Sequence, residues 1–204
     1  MKITERRLRS GRWLSGHGIE IGALGDPLLL PDDVHVSYVD RLPVDGLRRQ
    51  HPELAGETLV AVDIIGHAED LSSIADESQD FVIADHPLDE LDSPLAALVE
   101  MARVLRPGGV LHVAFPESPD GPHSTREAAH TASLRGWQPG DFLEVISAAR
   151  REAGVALDLL EFSACQPGLD DESIFVVAKG GRAPASPRDD PTRAELDHLR
   201  AEVG

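Results

Sequence analysis

The sequence predicts an α/β fold: a three-layer sandwich with a mostly parallel, seven-stranded sheet and one antiparallel strand near the C-terminus. Three observations predict it. Short aliphatic runs alternate with helix-like stretches along most of the chain, the order a parallel sheet with crossover helices requires. The early runs stop on an acid or a glycine, as in "GIEIG", "SYVD" and "FVIAD". The last two runs follow one another with no helix between them, which makes them antiparallel neighbours.

The elements follow in order. "HGIEIG" is the first strand, with Glu20 where a buried strand normally holds an apolar side chain. "HVSYVD" (35–40) is the second and ends in Asp40. "GLRRQHPEL" reads as a short helix and "TLVAVDII" (58–65) as the third strand. "AEDLSSIADESQ" is polar and carries a weak helical period. "DFVIAD" (80–85) is the fourth strand. "SPLAALVEMARVLRPGG" combines a serine cap, proline in the first turn, apolar residues at helical spacing and a Pro-Gly-Gly stop, so it predicts a helix. "GVLHVAFPE" is the fifth strand, and "QPGDFLEVISAARREAG" a second well-marked helix. "VALDLLEFSA" and "ESIFVVAKG" close the sheet, joined through "CQPGLDD". Residues 1–180 form the expected domain, since 204 residues suit one core. Beyond it, "GRAPASPRDDP" (181–191) is a Pro-rich linker. The tail "TRAELDHLRAEVG" is a short helix candidate that packs on the domain, joins a homodimer or stays in solvent.

Charge narrows the partners. The 36 acidic and 19 basic residues give a formal net charge of −17. Phosphate-backbone binders are basic, so no nucleic-acid partner is expected. An acidic surface also disfavours anionic membranes. The N-terminus is charged and has no long apolar run, so neither a secretion signal nor a membrane span is expected there. The single cysteine, Cys165, leaves no intrachain disulfide and argues against a cysteine-based metal site. It reads as a small buried thiol. A reducing cytoplasm is the default location.

In an open parallel sheet, ligands bind outside the carboxyl ends of the strands. Those ends carry Glu20 to Gly25, Asp40, Gly66 to Glu69, and Asp85 with His86. Glycines after the first strand let the backbone approach a ligand closely. A carboxylate closing the second strand can accept from both hydroxyls of a ribose. That points to a nucleoside. A dinucleotide would need G-x-G-x-x-G opening a helix, and this turn offers Gly22 and Gly25, followed by Asp26-Pro27. Glu20 and Asp26 would repel a pyrophosphate. A cationic nucleoside without phosphate suits the acids better.

"GIEIGALGDPLLLP…VSYVDRL", "FVIADHPLDELDSPLAALVEMARVLRPGGVLHVAFPE" and "GWQPGDFLEVI" together resemble the class I S-adenosylmethionine-dependent methyltransferases, in particular the bacterial type-11-like group associated with sugar and natural-product pathways. The resemblance covers roughly residues 15–180 and implies a Rossmann-like fold with S-adenosylmethionine as cofactor. It implies that Glu20 and Gly22 line the methionine part, with Ala23 to Gly25 as the backbone turn. Asp40, followed by Arg41, would hold the ribose. "GHAE", with His67 and Ala68, would hold the adenine. Ala84, Asp85 and His86 would face the methionine part and the acceptor. This chain departs from the family at several points. Leu24 stands where a second glycine is common, and His67 replaces an acid. "DHPLDE" replaces "SHVIEH", and the region after the fifth strand is short.

The remaining residues have competing readings. His86 is the first candidate general base, with His123 and His130 in the segment after the fifth strand as alternates. The latter two stand seven apart, and no metal site is expected from them. His112 alternates within the fifth strand and reads as a structural histidine. Trp137 walls an acceptor pocket or anchors the segment before it. Trp13, before the first strand, is a candidate to cover the cofactor. "DELD" (89–92) reads as a solvated lead-in to the helix. Three functions compete: methyl transfer to a small-molecule acceptor, a catalytically silent cofactor-binding or partner subunit, and a nicotinamide-dependent oxidoreductase, which the missing third glycine disfavours.

Overall fold

The computed structural model describes residues 9–85, 91–117, 137–165, 172–182, 184 and 186–188. Seven strands form one sheet in the order β3-β2-β1-β4-β5-β7-β6. They are β1 (His17–Ile21), β2 (His35–Asp40), β3 (Ile64–Ile65), β4 (Gln79–Asp85), β5 (Leu105–Pro116), β6 (Leu157–Ser163) and β7 (Glu172–Lys179). The strands from β3 to β5 pair in parallel. β7 runs antiparallel to both β5 and β6. It is the one reversed strand that the sequence predicts, but it lies inside the sheet, and β6 forms the edge.

Three helices are described from end to end: α1 (Val44–Gln50), α2 (Pro94–Val104) and α3 (Pro139–Glu152). α2 starts as its sequence requires. The Ser93 hydroxyl accepts from Ala96 N–H at 3.2 Å, and Pro94 occupies the first turn. α3 starts where the carboxylate of Asp141 turns back to accept from Gln138 N–H at 2.9 Å. Both helices bury their apolar stripes on one face of the sheet. There Phe115, Trp137, Phe142 and Phe175 form an aromatic cluster, continuous with Leu98, Met101 and Val113. Trp137 is fully buried in that core, where it anchors the packing.

The opposite face is covered differently. Leu14, Leu28 and Val34 pack against Phe81, Ile83, Val110 and Val176. Residues 22–34, between β1 and β2, contain no helix. Pro27 and Pro31 remove two N–H donors from that stretch, and it crosses the face as extended chain and turns. Trp13 packs against the same cluster and donates Nε1–H to Glu161 of β6 at 2.7 Å. Gly18 is demanded here by close approach, because a Cβ would stand 2.4 Å from the Phe81 ring.

Two elements differ from the sequence expectation. Only Ile64 and Ile65 of the expected third strand pair with β2. Upstream, Val60 N–H donates to Leu24 O and Asp63 N–H to Tyr38 O. Val60 therefore packs on the turn after β1, while Asp63 holds to β2 through Tyr38. The weakly periodic stretch "AEDLSSIADESQ" forms turns. Arg103 of α2 donates to Leu71 O at 2.9 Å and Ile74 O at 3.0 Å, which satisfies carbonyls that a helix would have used internally. Leu91 of "DELD" is also buried, at 2% exposure, so that segment is not wholly solvated. Among the described residues, no helix is long and apolar enough to cross a membrane.

Candidate functional site

The strand order turns back between β1 and β4, and such a reversal opens a crevice at the carboxyl ends. A cleft lies over the ends of β1, β2 and β3. Gly22, Asp40, Arg41, Gly66, His67 and Ala68 line it, with apolar walls from Ile21, Leu24, Leu47 and Leu91. Gln50 and His51, at the end of α1, complete the rim.

The floor is tied together by backbone. Gly22 N–H donates to Val39 O and Gly66 N–H to Asp40 O, both at 2.9 Å. Gly22 has φ +71°, and a Cβ there would meet nothing within 4 Å. The position needs glycine for its backbone conformation and for the open space above it. Leu24 has φ +50°. A left-handed conformation costs a non-glycine residue about 1–2 kcal/mol, which explains why a glycine is expected at that point of the turn. Leu24 is retained with its side chain in the cleft wall and its carbonyl holding Val60.

Asp40 ends β2 at the cleft. One carboxylate oxygen accepts from Arg41 N–H at 2.7 Å, which orients the group. His67 Nδ1 lies 3.3 Å from Glu69 Oε2. Glu69 also accepts from Asp92 N–H at 3.3 Å and from Ser93 N–H. Its charge thus sits at the start of α2, where the helix dipole favours an anion. In "GHAE", His67 and Ala68 reach the cleft, and Glu69 fastens the loop to α2.

Other predicted residues stand beside the cleft. Glu20 is 1% exposed, and its Oε1 accepts from Leu28 N–H at 2.9 Å. Its negative charge, burial and the charge of Asp63 hold the hydroxyl of Tyr38, the chain's single tyrosine, above its ordinary pKa; burial is the largest of these causes. Ala23 accepts from Asp26 N–H at 2.9 Å in the turn. Gly25 packs on Thr58, where a Cβ would be 3.1 Å from the carbonyl oxygen. Ala84 is fully buried. Asp85 is 8% exposed and pairs with His112. His86, His123 and His130 lie outside the described residues. Trp13 sits near the amino ends of the strands and does not cover this cleft. Cys165 is only partly buried, and its N–H donates to Ser173 Oγ at 3.3 Å. Leu47, Gln50, His51 and Leu91 are lining residues that sequence reasoning missed. No local signal marks them, because α1 and residue 91 reach the cleft only through the fold.

A family profile described as "Methyltransferase domain" matches residues 46–113, from α1 through most of β5. Over that stretch, about a third of the chain, the sequence is similar to a methyltransferase domain. Solved structures with the same fold include the carbon methyltransferase of CurJ, at 17% identity and TM-score 0.55, covering 82% of this chain and 49% of that one. The N-methyltransferase NodS from Bradyrhizobium japonicum WM9 has 16% identity and TM-score 0.55, covering 86% and 92%. The [4+2]-cyclase SpnF has 14% identity and TM-score 0.56, covering 89% and 81%. Thiol S-methyltransferase TMT1B from Mus musculus is 41% identical over 58 residues, 26% of this chain and 24% of that protein. The chain thus spans about a quarter of the length of that curated relative.

The similarity to methyltransferase domains points to S-adenosylmethionine as the cofactor to test, and the cleft suits it. No helix begins after Gly22, so no row of helical N–H groups faces the cleft from β1 to cradle a pyrophosphate. The cleft offers a carboxylate at Asp40 and open space over Gly22 instead, which suits a nucleoside without phosphate.

Proposed function

We propose that this protein transfers a methyl group from S-adenosylmethionine to a small-molecule acceptor. The observation that carries the reading is Asp40 and Gly22 meeting in one cleft over the carboxyl ends of β1 to β3, with no helix starting after Gly22. When bound, S-adenosylmethionine supplies a methyl group on a sulfonium, already activated for transfer. Asp40 accepts from the ribose hydroxyls. Gly66, His67 and Ala68 meet the adenine edge, and Leu24, Leu47 and Leu91 keep water from its faces. Gly22 and the turn through Ala23 to Gly25 let the backbone approach the methionine part. Glu20 holds that turn in shape from below through Leu28. Arg41 keeps the Asp40 carboxylate oriented through its N–H.

The chain's remaining task is to hold the acceptor in line with the methyl, about 3 Å away, and to exclude water. An acceptor held there would take the methyl group that the bound sulfonium supplies. An oxygen or nitrogen acceptor gives up its proton to a base, and His86 is the proposed base, with His123 and His130 as alternates. The resemblance of the sequence supports a sugar or natural-product intermediate as acceptor. The short match to a thiol methyltransferase adds thiols to the acceptors worth testing. A catalytically silent cofactor-binding subunit is the second reading, and the altered segment "DHPLDE" favours it.

Calorimetric titration with S-adenosylmethionine, S-adenosylhomocysteine and NAD is the first test. Binding of the first two, lost in Asp40→Ala, is expected. Binding of NAD alone would overturn the proposal. Transfer of labelled methyl to a panel of sugars, natural products, amines and thiols then separates the enzyme from the silent subunit. Unchanged turnover in His86→Ala would remove that residue from the role of base.

A further inference from the structure

On the face of the sheet opposite α2 and α3, three polar side chains sit in an apolar layer. His112 of β5 is 0% exposed, Ser10 is 1% exposed and Asp85 is 8% exposed. His112 Nδ1 is 2.8 Å from Asp85 Oδ1, and His112 Nε2 is 2.7 Å from Ser10 Oγ. The carboxylate can only accept and the hydroxyl can donate. Neutral His112 therefore carries its proton on Nδ1, donates it to Asp85, and accepts from Ser10 on Nε2. The connectivity is that of a serine hydrolase triad, but the buried hydroxyl offers no room for a substrate.

The surroundings make the network costly. Phe81, Ile83, Val110, Val176 and Leu14 are its apolar neighbours on this face. A buried carboxylate held by polar partners in such a layer costs desolvation that a well-packed apolar replacement would avoid. Its place at the sheet's carboxyl end points to a different return. Asp85 is the last residue of β4, and Glu20 pairs with Ile83 in the ladder between β1 and β4. Two residues beyond that pair stand Gly22, just past β1, and Asp85, the end of β4. The carboxylate held by His112 thus lies level with the turn that borders the cleft.

We infer that His112 is a positioning residue: it holds Asp85 against the cationic amino-acid end of the cofactor, and Ser10 sets its tautomer. The inference rests on the proposed cofactor site. It also gives the N-terminal segment a role. That segment is fixed to β6 by Arg12 and Trp13, both donating to Glu161, and Ser10 is its link to the cleft.

The test compares S-adenosylhomocysteine with methylthioadenosine, which lacks the amino-acid end, by calorimetry on the full chain. His112→Phe fills the space but cannot donate. It is expected to weaken S-adenosylhomocysteine about tenfold or more and to leave methylthioadenosine unchanged. His112→Asn keeps a donor near the Nδ1 position and is expected to restore most of the affinity. Ser10→Ala, the mildest change, is expected to weaken S-adenosylhomocysteine about threefold and methylthioadenosine not at all. Equal weakening of both ligands in these variants would show a merely structural network and overturn the inference. So would unchanged affinity for S-adenosylhomocysteine in Ser10→Ala and His112→Phe. Wild-type protein that binds neither ligand would instead overturn the cofactor site on which the inference rests.

Discussion

Replacing Glu20 separates a residue that touches the cofactor from one that shapes the turn beneath it. Its carboxylate is buried and accepts from Leu28 N–H at 2.9 Å. Glu20→Ala leaves that buried donor without its acceptor, and a lost hydrogen bond to a charged group costs about 1.5–3 kcal/mol. Glu20→Gln keeps a carbonyl oxygen at the same reach, so the loss falls to about 1 kcal/mol. Stability from urea unfolding reads this difference, with the slope checked for constancy. Tyr38 supplies an independent readout, since it is the only tyrosine and Glu20 is one cause of its raised pKa. Its tyrosinate absorbance should appear at lower pH in Glu20→Gln than in wild type. A raised pKa in the fold means that the corresponding stability is complete below the unfolded value of 10.0 and is lost as pH rises through the folded value. Glu20→Gln should therefore also flatten the alkaline fall in stability. Affinity for S-adenosylhomocysteine should change less than about tenfold in Glu20→Gln, the size of one weakened neighbour contact. Loss of all binding with stability and the Tyr38 titration unchanged would refute the turn-shaping role.

Two further outcomes follow from single positions. Gly22→Ala forces a Cβ onto φ +71°. The strain of about 1–2 kcal/mol exceeds the entropic gain of replacing glycine, so unfolding should show a net loss near 1 kcal/mol, and calorimetry a weaker cofactor. Arg103→Ala removes donors to Leu71 O, Ile74 O, Glu100 and Asp76 and should cost about 2–3 kcal/mol in urea unfolding. Arg103 also holds the carboxyl of Glu100 below its ordinary pKa, chiefly by hydrogen bonding. That contribution is present above the unfolded value near 4.5 and lost as pH falls through the folded one. The acid limb of the stability curve should be shallower in Arg103→Ala than in wild type.

Local pattern carried much of the fold. The caps and stops around α2 and α3, the short runs of β1, β2 and β4 that end on an acid or a glycine, and the adjacency of the last two runs are all written in short stretches. Each depends on residues within a few positions of one another, so the sequence exposes them. The glycine after β1 and the acid ending β2 were legible for the same reason. β3 was not, because its upstream residues trade the ladder for a bond to the Leu24 carbonyl, a partner thirty-odd residues away. The weak period of "AEDLSSIADESQ" failed as a helix because Arg103, from another element, takes its carbonyls.

The sequence by itself determined the type of fold, the glycine and acid that end the first two strands, and the two well-capped helices. Only the tertiary structure decided which acid faces the cleft. Asp40 and Glu20 look alike as strand-end carboxylates, yet one lines the cleft and the other is buried on Leu28. The same holds for His112, whose partners Asp85 and Ser10 stand 27 and 102 positions away in the chain. A side chain's chemistry depends on what surrounds it, and for these groups the surroundings come from distant segments that only folding brings together.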